Sequence, residues 1–350
     1  MKSNRDHERF MSATITEARK GIGLTSPNPA VGAVLVINGR IAARGHHRQA
    51  GLPHAEIECL RNFGRGIPHN AVLYVTLEPC STTGRTRACT TQLIDAGVRK
   101  IVIGAIDPNP RHAGRGLEIL RAARIDVQIG ILSDECTSLN EAFNKWIVTG
   151  QPFVIAKCGM SLDGRLTRPP NEPRWITAAA ARRHARALRA QVDAIVVGAT
   201  TVRADNPRLT ARDGRQTRQP WRVVLTRSGK LPRTARLFND GFAERTLVYQ
   251  GKSLGTVLAD LGKRNVTSVL IEGGGDVLGQ ALDAHLVDKV QLYLGNIFTG
   301  GPVIAFPGRG ADATEDGAYL ERIAYERFGQ SVCVKGYLQF KGEKSDRFLE

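Results

Sequence analysis

Residues 53–106 read PHAEIECLRNFGRGIPHNAVLYVTLEPCSTTGRTRACTTQLIDAGVRKIVIGAI. The stretch reads as a helix from His54 to Asn62, a strand Ala71–Leu77, a helix from Cys89 to Ala96 and a strand Lys100–Ile106. Helices alternating with strands predict a sheet covered by helices, with neighbouring strands joined by parallel crossovers. An α/β domain follows from that alternation.

Working outward, a helix over Arg5–Gly21 leads through Ser26-Pro27-Asn28-Pro29 into the apolar run Ala30–Ile37, and Asn38-Gly39 reads as a hairpin turn into Arg40–His46. Downstream come a helix Gly116–Ala123, a short strand Asp126–Ile131 and a helix Ser133–Trp146. The turn Thr149-Gly150-Gln151-Pro152 is the natural break, giving domains 1–149 and 150–350. The pattern then restarts with strands Phe153–Lys157, Ala194–Gly198, Trp221–Thr226, Thr246–Tyr249, Ser268–Glu272 and Lys289–Leu294. Helices Ala178–Ala190, Ser253–Lys263 and Val277–Ala284 lie between them, so a second α/β domain is expected.

A chain of 350 residues, 42% apolar and 23% charged, suits two soluble domains, each able to bury its own core. No run approaches the roughly 20 apolar residues that cross a bilayer, and the charged start, with Arg5, Arg9, Arg19 and Lys20, lacks a secretion signal. We therefore expect a cytoplasmic protein without membrane partners. Six scattered cysteines are too few for a disulfide scaffold and leave metal ligation open. The net charge of +16 fits either a nucleic-acid surface or an exterior around sites for anionic small molecules. Arginines spread along the whole chain favour the second.

His54 and Glu56 open one helix, Cys80 follows Pro79 at a strand end, and Cys89 opens the next helix. One imidazole and two thiolates make a three-ligand zinc set, leaving the fourth tetrahedral position for water, the catalytic arrangement. Glu56, two residues after His54, is placed to move a proton rather than bind the metal. The pattern is H-x-E followed by P-C and a second cysteine, as in zinc deaminases, except that eight residues separate Cys80 from Cys89. Singly, these residues would read as a helix-cap histidine, a solvated acid and core cysteines; jointly they point to hydrolytic removal of an amino group. Cys59 is expected to be a buried helix-face residue.

The first half resembles the bifunctional riboflavin-biosynthesis deaminase-reductases through Pro27-Asn28-Pro29-Ala30-Val31-Gly32, His47, Ala50-Gly51 and Pro53-His54-Ala55-Glu56. The likeness continues through Thr76-Leu77-Glu78-Pro79-Cys80, Gly84-Arg85-Thr86, Cys89 and Asp107-Pro108-Asn109-Pro110. It implies a three-layer domain of the cytidine-deaminase type, zinc on His54, Cys80 and Cys89, Glu56 as catalytic proton shuttle, and substrate held by Asn28, Arg85, Asp107 and Asn109. Amides and a carboxylate can read a pyrimidine edge and a guanidinium can grip phosphate, although Asn-Pro pairs also serve turns. The chain departs from the family at Thr82-Thr83, where a histidine is usual.

The second half resembles the dihydrofolate-reductase-like α/β domain of the same enzymes through Lys157, Ser161-Leu162-Asp163-Gly164-Arg165, Trp175-Ile176-Thr177 and Leu188-Arg189-Ala190. Asp205-Asn206-Pro207-Arg208-Leu209-Thr210 and Glu272-Gly273-Gly274-Gly275 complete it. Independently, an apolar strand entering three glycines and then a helix offers bare amides to a phosphate, or makes a tight turn; Leu278 rules out a Rossmann G-x-G-x-x-G match. The resemblance implies NADPH on Gly159, Trp175, Thr201, Asp205 and Gly273, Gly274 and Gly275. It also implies a catalytic Lys157, with substrate near Arg189, Leu209, Arg212 and Glu272. Departures stand at Pro173 and at Thr226-Arg227.

The function implied is zinc-dependent deamination of a diaminopyrimidine ribosylamine phosphate followed by NADPH-dependent reduction of its ribosyl to a ribityl chain. Phosphorylated pyrimidines are the expected partners, with no nucleic acid, and a homo-oligomer is expected from the family. Two rivals stay open: a nucleic-acid base deaminase, which the 6% aromatic content and long cysteine loop disfavour, and a diverged paralogue that binds without turnover.

Overall fold

The computed structural model describes residues 4–83, 87–167, 175–212 and 218–342, and divides into two compact units between Gly150 and Gln151. In the first, α1 (Asn4–Ala18) precedes the hairpin β1 (Gly32–Ile37) and β2 (Arg40–His46), then α2 (Ala55–Phe63), β3 (Val72–Leu77), α3 (Cys89–Asp95) and β4 (Lys100–Ala105). The unit closes with α4 (Arg115–Ala122), β5 (Asp126–Ile129), α5 (Ser133–Ser138) and α6 (Glu141–Thr149). The sheet order is β2-β1-β3-β4-β5, antiparallel across β2-β1-β3 and parallel across β3-β4-β5.

Alternation along the strands sorts this core into two layers. Leu35, Leu73, Val75, Ile101 and Ile103 pack with Ala55 and Cys59 of α2, Leu93 of α3 and Leu117 and Leu120 of α4. Val34, Val36, Tyr74 and Val102 face the other way, against Phe10, Met11 and Ile15 of α1 and Cys136 of α5. The result is three layers, with the helices carrying His54, Glu56 and Cys89 on one face. One expected helix, Ser133–Trp146, is two: the chain breaks at Asn140, whose side chain accepts from the Ala30 N–H at 2.7 Å and donates to the Ala30 carbonyl at 3.1 Å. That two-sided clasp fixes the turn that carries Asn28.

The second unit runs β6 (Phe153–Met160), α7 (Ala179–Ala187), β7 (Ala194–Gly198), α8 (Ala199–Asp205), β8 (Trp221–Thr226), β9 (Thr246–Gln250), α9 (Leu254–Lys263) and β10 (Ser268–Ile271). It ends with α10 (Gly275–Asp283), β11 (Lys289–Leu294), β12 (Tyr319–Phe328) and β13 (Ser331–Gln339). The eight-stranded sheet is ordered β12-β13-β11-β6-β10-β7-β8-β9; its six strands from β11 to β9 are parallel and the β12–β13 hairpin is antiparallel. Helices α9 and α10 cover one face through Val257, Leu258, Leu261, Val277, Leu278 and Ala281. Opposite them, Ile195, Val197, Val224 and Leu270 pack with Leu188, Leu209 and Leu237. The short α8 and the final hairpin were not expected from the sequence.

Candidate zinc centre and reductase site

His54 is the N-cap of α2, in extended conformation, and Glu56 lies in the first turn, where the helix dipole favours a carboxylate. What lets α2 sit this close to the sheet is Gly45 in β2. A Cβ there would lie 2.3 Å from the Cys59 backbone nitrogen and 2.5 Å from the Ala55 carbonyl. Cys80 follows β3 and Cys89 begins α3, so both thiols meet the histidine from the next strand–helix junction.

The ligand atoms of His54, Cys80 and Cys89 all lie within 4.8 Å of one another. His54 Nδ1 is 3.5 Å from Cys80 Sγ and 3.3 Å from Cys89 Sγ. Tetrahedral zinc, with bonds of about 2.1 Å to nitrogen and about 2.3 Å to sulfur, separates two such ligands by roughly 3.6 Å. The donor set and its spacing fit zinc. Hydrogen bonds from the Cys89 side chain, from His54 and from the Cys89 N–H hold the Cys80 thiol below the ordinary thiol range. The same contact with Cys80, together with burial, pushes the Cys89 thiol up. Cys59, by contrast, is a buried core thiol pushed up to about 12 by burial, as its place on the helix face implied.

Glu56 is 3% exposed, and burial raises its carboxyl above the ordinary range while its side chain reaches Cys89. His47, quoted in the sequence motif without a role, packs edge-on against His54 at 5.1 Å between ring centroids. Its Nδ1 is 3.1 Å from the Pro53 carbonyl and its Nε2 is 3.2 Å from Asn28 Nδ2. The consistent assignment has Nδ1–H donating to Pro53 and the Asn28 amide donating to Nε2. Asn28 is thus tied to the metal-bearing loop. A cleft of about 230 Å³ opens beside the ligands, lined by Pro53, His54, Ile57, Arg61, Arg87, Cys89 and Gln92.

Asp107 is nearly buried, its carboxyl raised by burial, and its Oδ1 accepts from the Asn109 N–H at 2.9 Å. Asn109 Oδ1 in turn accepts from the Arg111 N–H at 3.1 Å, a local turn contact of the kind Asn-Pro sequences make. Arg85 lies outside the described residues, as does Pro173.

In the second unit Glu272 follows β10, and both its oxygens are held by Arg189, Nε at 2.6 Å and Nη2 at 2.8 Å. Lys157 of β6 brings its Nζ to 3.9 Å from the same carboxylate. Burial opposes ionisation of Glu272, but Arg189 and then Lys157 outweigh it and keep its pKa below the ordinary value. The glycine loop sits beside this trio. Gly273 has φ +117 and Gly274 φ +74, conformations that disfavour any side chain. A Cβ on Gly274 would lie 3.1 Å from Thr201 Oγ1, and one on Gly275 2.1 Å from the Ile304 carbonyl. Bare amides at the start of α10 with a hydroxyl alongside are a fitting seat for a dinucleotide phosphate.

The remaining expected residues are more dispersed. Gly159 faces Thr177, where a Cβ would meet the threonine methyl at 3.4 Å. Trp175 is exposed with the Arg182 guanidinium 4.8 Å over its ring, and Asp205 is exposed at the end of α8. Leu209 has its side chain in the core, with its backbone held at φ +53. Arg212 is exposed, its Nε 3.5 Å from Thr210 Oγ1. Arg222, 1% exposed, fixes this loop by donating to the carbonyls of Arg208, Leu237 and Phe242 and to Asp240. Thr226 accepts from the Gly229 N–H at 3.1 Å, a turn contact.

Residues 4–105 match the family model for the cytidine and deoxycytidylate deaminase zinc-binding region, and residues 152–334 match that for the RibD C-terminal domain. The riboflavin biosynthesis protein RibD of Synechocystis sp. is 38% identical over 322 residues, covering 86% of this chain and 87% of the relative. The chain belongs to the RibD family. Among solved structures, Acinetobacter baumannii RibD superposes with a TM-score of 0.86 at 33% identity, covering 96% of this chain and 100% of that one. A Thermotoga maritima diaminohydroxyphosphoribosylaminopyrimidine deaminase/5-amino-6-(5-phosphoribosylamino)uracil reductase gives 0.85 at 32% identity, covering 96% and 99%. This RibD family member is a deaminase and reductase of riboflavin biosynthesis, with a zinc-binding deaminase unit and a reductase unit of the NADPH-using RibD type.

Proposed function

We propose that the first unit removes the amine of diaminohydroxyphosphoribosylaminopyrimidine and that the second reduces the resulting 5-amino-6-(5-phosphoribosylamino)uracil to its ribityl form, each through the residues named above. The observation that carries the reading is the His54–Cys80–Cys89 triad with buried Glu56 beside it, in one chain with the glycine loop that follows Glu272 and the Lys157, Arg189 and Glu272 trio.

Zinc, when bound, supplies the positive charge that makes water nucleophilic at neutral pH. Glu56 then takes a proton from the attacking water and returns it to the leaving amine; its burial-raised pKa brings it nearer the working pH. Asn28 and Asp107 orient the pyrimidine edge, and His47 keeps Asn28 and Pro53 in register. In the second unit the bare loop of Gly273, Gly274 and Gly275 with Thr201 alongside would hold NADPH, which when bound would supply the hydride for reduction at the sugar carbon. Lys157 is the member of its trio able to give up a proton to the opening ring oxygen, because the Arg189 guanidinium stays protonated and Glu272 is held ionised.

The reading includes self-association, supported by Tyr319, Ile323, Tyr325 and Val332 exposed along the β12–β13 hairpin, and a cytoplasmic location, supported by six free cysteines. No helix among the described residues is long and apolar enough to cross a membrane. The test supplies the diaminopyrimidine phosphate to the purified chain and follows ammonia release, then adds NADPH and follows its oxidation. Both should occur in that order; ammonia release without NADPH oxidation, or neither, would contradict the reading.

A further inference from the structure

Glu78 lies in the Thr76-Leu77-Glu78-Pro79-Cys80 segment between β3 and the metal-ligating thiol, and it is 5% exposed. An acid at that depth must find donors, and among the described residues its side chain finds four backbone N–H groups of one loop. Its Oε2 accepts from the Asp107 N–H at 3.2 Å and the Gly114 N–H at 3.0 Å. Its Oε1 accepts from the Gly116 N–H at 2.8 Å and the Leu117 N–H at 3.3 Å. Gly116 and Leu117 belong to the first turn of α4, whose N–H groups have no partner inside the helix. One carboxylate therefore ties both ends of the 107–117 loop to the strand end that presents Cys80.

Two glycines make the clasp possible. Gly114 sits at φ +78, and a Cβ on Gly116 would lie 2.4 Å from the Pro79 carbonyl, so the loop lies directly on the peptide preceding Cys80. Asp107 is thus held through its own N–H while its side chain is braced by the Asn109 N–H. We propose that Glu78 is a positioning residue for deamination, fixing the Asp107 loop against the Cys80 strand end so that the substrate-reading carboxylate and the metal ligands keep one spacing. The proposal rests on the deaminase reading above and on Asp107 touching substrate.

The test uses the full chain with Glu78→Gln, Asp107→Ala and the double variant, measuring zinc content, NADPH oxidation with the deaminated substrate, and kcat and KM of ammonia release per bound zinc. Glutamine has one acceptor oxygen and turns an NH2 toward backbone donors, so half the clasp is lost. Expected for Glu78→Gln are unchanged reduction, about one zinc per chain, a KM raised roughly 10-fold and a per-zinc kcat within about 3-fold. Adding Glu78→Gln to Asp107→Ala should then raise KM by less than about 3-fold, because the group it positions is gone. If Glu78→Gln does not accumulate, Glu78→Asp, which withdraws both oxygens by one methylene, is read the same way. Lost zinc or stability with unchanged per-zinc KM, or fully multiplicative KM effects in the double variant, would overturn the proposal. Absence of ammonia release from the parent chain would instead overturn the deaminase reading.

Discussion

Replacing Glu272 by glutamine keeps its shape and deletes its charge. In the parent its carboxylate accepts from Arg189 at 2.6 and 2.8 Å and faces Lys157 Nζ at 3.9 Å, with side-chain exposures of 7%, 15% and 20% for Glu272, Arg189 and Lys157. The variant leaves two largely buried cations without their counter-charge and points one amide N–H at a guanidinium that has only donors. Breaking a buried pair from one side costs about 3–5 kcal/mol, and the partial solvent access of Lys157 places the expectation near the lower end, about 3 kcal/mol. Removing Arg189 as well, in Glu272→Gln/Arg189→Met, takes away the worst-placed cation and should restore at least about 1 kcal/mol. Urea unfolding followed by tryptophan fluorescence in a Trp146→Phe background, which leaves Trp175 and Trp221 of the reductase unit as reporters, reads the midpoint shift at constant slope. A loss below about 1 kcal/mol for the single variant, or a double variant less stable than Glu272→Gln, would show that the Glu272 charge does not hold the two cations in place.

Three further outcomes follow from the same geometry. The Glu272 pKa is depressed in the fold, so its stabilisation is complete above its ordinary value of 4.5 and is lost as pH falls through the lower folded value; Glu272→Gln should flatten that acid limb in pH-dependent melting. Gly45→Ala drives a Cβ into the α2 backbone and should cost about 1–3 kcal/mol in the first unit and weaken zinc retention, checked by melting and metal analysis. Treatment with a zinc chelator should abolish ammonia release while NADPH oxidation with the deaminated substrate continues, checked by running the two assays on one sample.

The convergence of His54, Cys80 and Cys89 was legible because all three stand at element ends, where sequence punctuation is strongest: Pro53 before His54, Pro79 before Cys80, and Cys89 opening a helix. The clasp by Glu78 was not, since an acid inside a motif does not reveal that its donors come from a loop some thirty residues downstream. The break at Asn140 escaped for the same reason, being set by Ala30 rather than by local propensity. The β12–β13 hairpin stayed hidden because β12, with Glu321, Arg322, Glu326 and Arg327 and one largely exposed face, has no clean apolar alternation. Helix α8 starts directly at the end of β7, with no loop to mark it. Lys157, Arg189 and Glu272 were named by resemblance; Lys157 approaches Glu272 because the sheet register sets β6 beside β10, and Arg189 reaches the same carboxylate from the turn after α7.

If the chain holds two separable chemistries, Glu56→Ala should part them. Kinetics of both half-reactions on the same preparation should show ammonia release reduced by about 10²–10⁴-fold, the usual contribution of a positioned proton shuttle. Reduction of 5-amino-6-(5-phosphoribosylamino)uracil by NADPH should stay at the parent rate. Loss of both activities together, or deamination unchanged without Glu56, would contradict the account.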